Sequence, residues 1–254
     1  PRSTPSNSSA ASDVYKRQGL NLAFGLIYTK IDITMLSLLR GNDAEIGFYR
    51  AALALVMYLP LVAIALTSSL FPIMSGLYLS KRESFVLNYR RSVQLLFTAA
   101  LPMAIGLCLL ADKFVLIIYG EDFRLSIVSL RILSLSVILK FIHGALAMVL
   151  TASDRQKLRT SVIAFAAFGN VVLNLLLIPW KGYVGASLAA VLTDGLILGT
   201  FYFFVSRQLG QLPLLAVTAR PTLSVITMGL YVFFFRRMPL LALIPSAAVI
   251  YMTV

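Results

Sequence analysis

The chain has 254 residues, of which 59% are hydrophobic and only 13% charged, and its mean hydropathy is +0.88. A soluble domain of this length cannot hide so much apolar surface, which excludes an ordinary water-soluble enzyme or binding module. The net charge of +12 does not point to nucleic acid, because the basic residues cluster in breaks between long apolar runs, where membrane topology accounts for them.

In chain order, residues 1–18 are polar and Ser/Ala-rich, with no apolar stretch of the signal-peptide kind, and change abruptly into GLNLAFGLIY. They are expected to be non-native or disordered, followed by a six-helix transmembrane lobe over 19–206 and two additional transmembrane helices over 207–254, truncated at the C-terminus. A hydrocarbon core about 30 Å thick needs about 20 helical residues. Runs near that length fall at 20–39, 51–77, 93–111, 126–152, 160–178, 184–205, 221–235 and 239–254, so the fold class expected is all-α, a polytopic bundle of about eight spans. The runs lack strict two-residue alternation, and unpaired backbone groups are not tolerated in lipid; both facts choose helices over a barrel.

Residues 80–92, SKRESFVLNYRRS, read as a short amphipathic helix lying on the membrane surface. Pro60, Pro102, Gly106 and Gly169 fall inside runs and bend helices, either to fit neighbours or to allow motion. The lone Cys108 sits in an apolar run and reads as packing. Alternate breaks carry eleven cations (Lys16, Arg17, Lys81, Arg82, Arg90, Arg91, Arg155, Lys157, Arg159, Arg207, Arg220) against six (Arg40, Lys113, Arg124, Lys181, Arg236, Arg237). The first set is expected to be cytoplasmic, with the Arg236–Arg237 pair running against the rule.

Ionisable groups inside spans are costly and point to function. They are Lys30, Asp32, Arg50, Arg131, Lys140, His143 and Asp194. Lys30 and Asp32, two apart, face different ways and need other partners. Lys140 and His143, three apart, share a face and form a cationic stripe in mid-span. Arg50 and Arg131 lie near span ends, where they either snorkel to head groups or face a cavity; His143 is either a hydrogen-bonded core histidine or a proton relay. Asp32 and Asp194 either pair with a cation of another span or bind a coupling H+ or Na+. Asn170 and Asn174, four apart, read as an interhelical hydrogen-bonding pair, and Tyr119, Trp180 and Tyr183 as an interfacial belt. One His, one Cys and no clustered carboxylates leave no catalytic constellation, so the reading assigns no catalytic residue, metal site or cofactor, and no enzyme activity.

Several short patterns in order resemble the polysaccharide and O-antigen flippases of the MOP (multidrug/oligosaccharidyl-lipid/polysaccharide) superfamily. They are Ile31-Asp32-Ile33-Thr34-Met35-Leu36 with Gly41 and Ile46-Gly47-Phe48-Tyr49-Arg50-Ala51-Ala52; Leu70-Phe71-Pro72-Ile73-Met74-Ser75; and Ile118-Tyr119-Gly120-Glu121-Asp122-Phe123 with Leu130-Arg131-Ile132-Leu133. Asn170 through Pro179 and Gly182-Tyr183-Val184-Gly185-Ala186-Ser187 complete the series. The resemblance implies the second lobe of a MATE-like fold, with the first lobe missing, in a bacterial-type cytoplasmic (inner) membrane. It also implies a cationic central cavity that accepts the anionic head group of an undecaprenyl-diphosphate-linked oligosaccharide while the lipid tail stays in the bilayer. Span chemistry, rather than a family motif, nominates Lys30, Arg50, Arg131, Lys140 and His143 as substrate-binding, and Asp32 and Asp194 as ion-coupling. The competing expectations are a cation-coupled multidrug extruder of the same superfamily and a membrane glycan polymerase or ligase.

Overall fold

A computed structural model describes residues 30–212 and 214–253, and the expectations placed on 1–18 and on the start of the first span lie outside them. Helix α1 covers 30–40. There follow α2 (Asp43–Val56), α3 (Pro60–Ser80), α4 (Arg82–Leu109), α5 (Ala111–Tyr119), a 3-10 turn at Glu121–Phe123, α6 (Ser126–Ala152), α7 (Gln156–Lys181), α8 (Tyr183–Leu209), α9 (Leu214–Phe234) and α10 (Leu240–Thr253). Five stretches of the described residues are long and apolar enough to cross a membrane: Asp43–Tyr78, Arg82–Leu109, Ser126–Ala152, Gln156–Lys181 and Tyr183–Leu209. The runs expected at 221–235 and 239–254 are the helices α9 and α10, and of the first expected span only the part in α1 is described.

Local chemistry explains the boundaries. Gly41 takes φ +59°, and the Asn42 side chain then caps α2 by accepting from the Ala44 and Glu45 amides at 3.0 and 3.5 Å. The long stretch Asp43–Tyr78 breaks at residues 57–59, because Pro60 at the head of α3 has no amide to donate backward. The sequence expectation of a separate surface helix over 80–92 is corrected: Ser80 ends α3, Lys81 caps α4, and 82–92 are the first turns of α4, continuous to Leu109. Phe85 and Tyr89 are buried on the same stripe as Val93 and Leu96, so one face runs unbroken. At 1.5 Å per residue α4 is about 42 Å long, and its basic first turns extend past an apolar core of about 30 Å.

Helix α6 is the axis of the bundle and packs against α2, α3, α4 and α8, while α7 and α8 form a tight hairpin. Lipid tails are as apolar as leucine, so association rests on close approach and interhelical hydrogen bonds. Buried Ala52, Ala104, Ala145, Ala186 and Ala189 supply the first, and Ser187 donating to Ser129 at 2.9 Å joins α8 to α6. A second apolar cluster, including Leu101, Met228, Val232, Leu243 and Ala247, docks α9 and α10 on α4, where the Tyr251 hydroxyl donates to the Thr98 carbonyl at 2.7 Å. Phe165, Leu176 and Trp180 of α7 are exposed, as a lipid-facing surface requires.

The polar contacts between elements at the helix ends sort by end. At the basic end Arg82 donates to the Gln208 carbonyl at 2.8 Å, and the Gln208 amide sits against Arg155. At the opposite end Arg40 pairs with Glu45 at 3.0 Å, and Glu45 accepts from the Tyr183 amide at 3.2 Å. Arg236, anomalous by loop charge, lies at this end because Asp112 meets it at 2.6 Å and Lys113 donates to the neighbouring Met238 carbonyl at 2.6 Å. Partial burial pushes the Asp112 carboxyl up, but hydrogen bonding and charge from Arg236 outweigh it and hold the carboxyl below its ordinary range. A depressed carboxylate stabilises above its unfolded pKa and loses that contribution as pH falls through the folded value. Arg236→Ala is therefore expected to lower stability at neutral pH by under about 1 kcal/mol, a gap that closes on acidification in thermal unfolding of the detergent-solubilised protein.

Candidate functional site

Asp32 sits one helical turn before Leu36 and three residues before Met35, so it shares their buried face of α1 and is itself 7% exposed. A carboxylate there must be hydrogen-bonded. The Tyr49 hydroxyl of α2 donates to its Oδ2 at 2.9 Å, and the Asn174 amide of α7 donates to its Oδ1 at 2.6 Å. The network continues inward: Asn174 also donates to Asn170 Oδ1 at 3.0 Å, Asn170 donates to Thr193 Oγ1 at 3.1 Å, and Thr193 donates to the Ala189 carbonyl at 2.7 Å. Asn170, Asn174 and Thr193 are fully buried. Four helices, α1, α2, α7 and α8, thus meet on one chain of oxygen and amide groups. It starts about 12 Å from the α1 terminus at Arg40, counted at 1.5 Å per residue.

The next residue, Asp194, is also fully buried and faces α6. Lys140 Nζ meets its Oδ2 at 3.1 Å, and His143 Nε2 lies 3.8 Å from Oδ1. The Lys140–His143 stripe therefore has a counter-charge on α8, as a basic group deep in a membrane bundle requires.

Two cavities open along this wall. One, about 710 Å³, is bounded by α1, α2 and α6 and lined by Lys30, Asp32, Tyr49, Arg50, Lys140 and His143 among others. The other, about 830 Å³, lies toward the basic end between α3, α6, α7 and α8, with Thr67, Lys140, His143, Thr151 and Arg159 in its wall. They share Pro60, Lys140 and His143, so the cationic stripe and the helix break stand where the cavities meet.

Of the residues nominated from sequence, the structure brings together Lys30, Asp32, Arg50, Lys140, His143 and Asp194. Arg131 stands apart: it is exposed on α6 and lines neither cavity. Sequence reasoning missed Tyr49, Thr193 and Arg159. Tyr49 was visible as the neighbour of Arg50 and Thr193 as the neighbour of Asp194, but their partners lie on other helices. The Asn170–Asn174 pair, expected to bond between helices, does so to α8 and α1.

The chain is similar to known proteins in sequence and in fold. The family model described as "Polysaccharide biosynthesis protein" matches residues 23–128. The chain is 25% identical over 171 residues to the probable low-salt glycan biosynthesis flippase Agl15 of Haloferax volcanii, a match covering 66% of this chain and 36% of that protein. Among solved structures, the lipid II flippase MurJ in an inward closed conformation superposes with a TM-score of 0.82 at 14% identity, covering 99% of this chain and 55% of that one. A MOP superfamily transporter from Pyrococcus furiosus gives 0.63 at 17% identity, covering 85% of this chain and 52% of that one. The chain thus spans about a third of the curated relative and about half of each solved structure. At these identities the superpositions establish the fold, which is that of the MOP transporters, in agreement with the resemblance carried by the sequence motifs.

Proposed function

We propose that this chain, a membrane-embedded lobe with the MOP-transporter fold and a match to polysaccharide biosynthesis proteins, belongs to a longer protein that flips a lipid-linked oligosaccharide of the undecaprenyl-diphosphate type. The observation that carries the reading is the convergence of Lys30, Arg50, Lys140 and His143 on one cavity in whose lining, among the described residues, Asp32 is the one acid, with Asp194 buried behind Lys140. A diphosphate and its sugars cannot cross hydrocarbon unaided, because every hydroxyl and charge would be buried without a partner. A wet cationic wall removes most of that barrier, and rocking of this lobe against a companion lobe exchanges the open side. The lining argues against an extruder of organic cations, whose cavity needs acidic and aromatic surfaces.

The companion lobe precedes this chain, residues 19–206 form the second lobe, and 207–254 add two helices; the membrane is a bacterial-type cytoplasmic one with the basic end inside. Asp32 is the better candidate for the coupling H+ or Na+, since Asp194 already faces Lys140. Beside the Asp32 carboxylate the Tyr49 hydroxyl supplies a second hard oxygen donor of the kind small cations prefer. The test is transbilayer movement of a fluorescent lipid-linked disaccharide by the full-length protein in proteoliposomes. The double variant Lys30→Gln/Arg50→Gln is expected to slow flipping about a hundredfold, two tenfold steps of about 1.4 kcal/mol each. Unchanged flipping, or efflux of an organic cation in place of lipid movement, would overturn the assignment.

A further inference from the structure

We propose that the 830 Å³ cavity is a capture site for the phosphate of a membrane amphiphile, with Arg159 as the residue that first binds it. The inference deepens the flipping reading and rests on it. By its position in the sequence Arg159 looks like one more cation of a connecting loop, but it lies within the first turn of α7 and, with Ile163 one turn on, lines the cavity. Its guanidinium donates to the Thr151 hydroxyl at 3.3 Å. Among the described residues no carboxylate comes within ion-pair distance of it, in contrast to Arg40, Arg124 and Arg236. A guanidinium held only by a neutral hydroxyl at the membrane surface keeps its donors available for a phosphate, which it can engage through two parallel bonds.

The rest of the wall fits the remainder of such a molecule. From Arg159 toward the middle of the bundle the lining is mainly apolar, with Phe71 and Ile64 on α3, Met148 on α6 and Ile163 on α7, interrupted by the hydroxyls of Thr67 and Ser68 on α3. That order, a cation at head-group depth with apolar surface above it, is the order of a phosphate and the first segment of its hydrocarbon chain in the adjacent leaflet. Lys140 and His143 close the far end, about 16 Å and about 12 Å from Thr151 along α6 at 1.5 Å per residue. One diphosphate cannot touch both stations at once, so the two cations act in succession. Lys140 is partly compensated by Asp194 at 3.1 Å, which makes Arg159 the stronger initial attractor and Lys140 the station to which the head group is handed over.

The experiment uses the full-length protein in nanodiscs, with farnesyl diphosphate and inorganic diphosphate as probes, alongside the flipping assay. Arg159→Gln is expected to weaken farnesyl diphosphate binding about tenfold and to raise the half-saturating concentration in flipping by a similar factor, with the maximal rate within about twofold; Arg159→Lys recovers part of the loss. Ile64→Trp fills the apolar wall without touching Arg159, so it is expected to weaken farnesyl diphosphate while leaving inorganic diphosphate unchanged. The proposal is overturned if Arg159→Gln binds farnesyl diphosphate like the wild type, or if inorganic diphosphate binds as tightly as the lipid probe and Ile64→Trp affects neither. Robust flipping with an indifferent Arg159 removes the capture site and leaves the transport reading standing. Arg159-dependent binding in a protein that flips no lipid-linked sugar supports the site and removes the transport reading.

Discussion

Asp32→Ala in the full-length protein is expected to abolish flipping, and Asp32→Asn to leave the fold intact while removing the response to a coupling ion. Asp32 accepts from Tyr49 and Asn174 inside the bundle, so its truncation strands two buried donors, each at a cost of about 1–3 kcal/mol. The asparagine variant keeps an acceptor for the Asn174 amide, and the Tyr49 hydroxyl can turn to accept from the new amide nitrogen, so the charge is the main loss, which separates structural loss from loss of ion binding. In proteoliposomes under an imposed Na+ or proton gradient, the wild type should flip faster down one of the two gradients. The Asn variant should flip at one rate with or without it, at least about tenfold below the driven wild type, or about 1.4 kcal/mol. If the Asn variant still responds to the gradient, the coupling charge lies elsewhere, and Asp194 becomes the first position to test.

The parts of this site that were legible in the sequence are those set by spacing along one helix. Lys140 and His143 share a face because they are three apart, and Asn170 and Asn174 because they are four apart. The ends of α6 coincide with the run expected at 126–152, since a charged break stands on either side of it. Hidden were the pairings between distant segments: Asp194 with Lys140, and Asn174 with Asp32 across 142 positions. No periodicity encodes which faces of two helices meet. The charged start of α4 was misread for a related reason. Its polar residues look like the end of a span by hydropathy, whereas the buried stripe through Phe85, Tyr89, Val93 and Leu96 continues the helix without a break. Arg159 suffered the same error, its place in the first turn of α7 being assigned to a loop.

The motif Gly182-Tyr183-Val184-Gly185 has a steric origin, and Gly185→Ala is expected to be the most damaging single substitution outside the polar network. Gly182 ends α7 at φ +56°, a conformation that side chains resist, with its amide donating to the Ile178 carbonyl at 2.8 Å. Gly185 then lets α8 lie against the last turn of α7: a Cβ there would collide with the Leu177 carbonyl oxygen and with Ile178 N. The obstacle is backbone, and Ile178 is fully buried, so relief requires the two helices to part. They carry Asn170, Asn174, Thr193 and Asp194 between them, and a shift of about 1 Å breaks hydrogen bonds that tolerate little lengthening. The expected cost is about 3 kcal/mol, a fall of roughly 6–12 °C in the unfolding temperature of the detergent-solubilised protein, with transport lost at temperatures where the wild type is active. Gly195→Ala is the matched control on the same helix, because a Cβ at that position has nothing within 4 Å and alanine favours the helix. Equal melting of the two variants would show that the α7–α8 hairpin yields at Gly185, and would release the polar network from dependence on that approach.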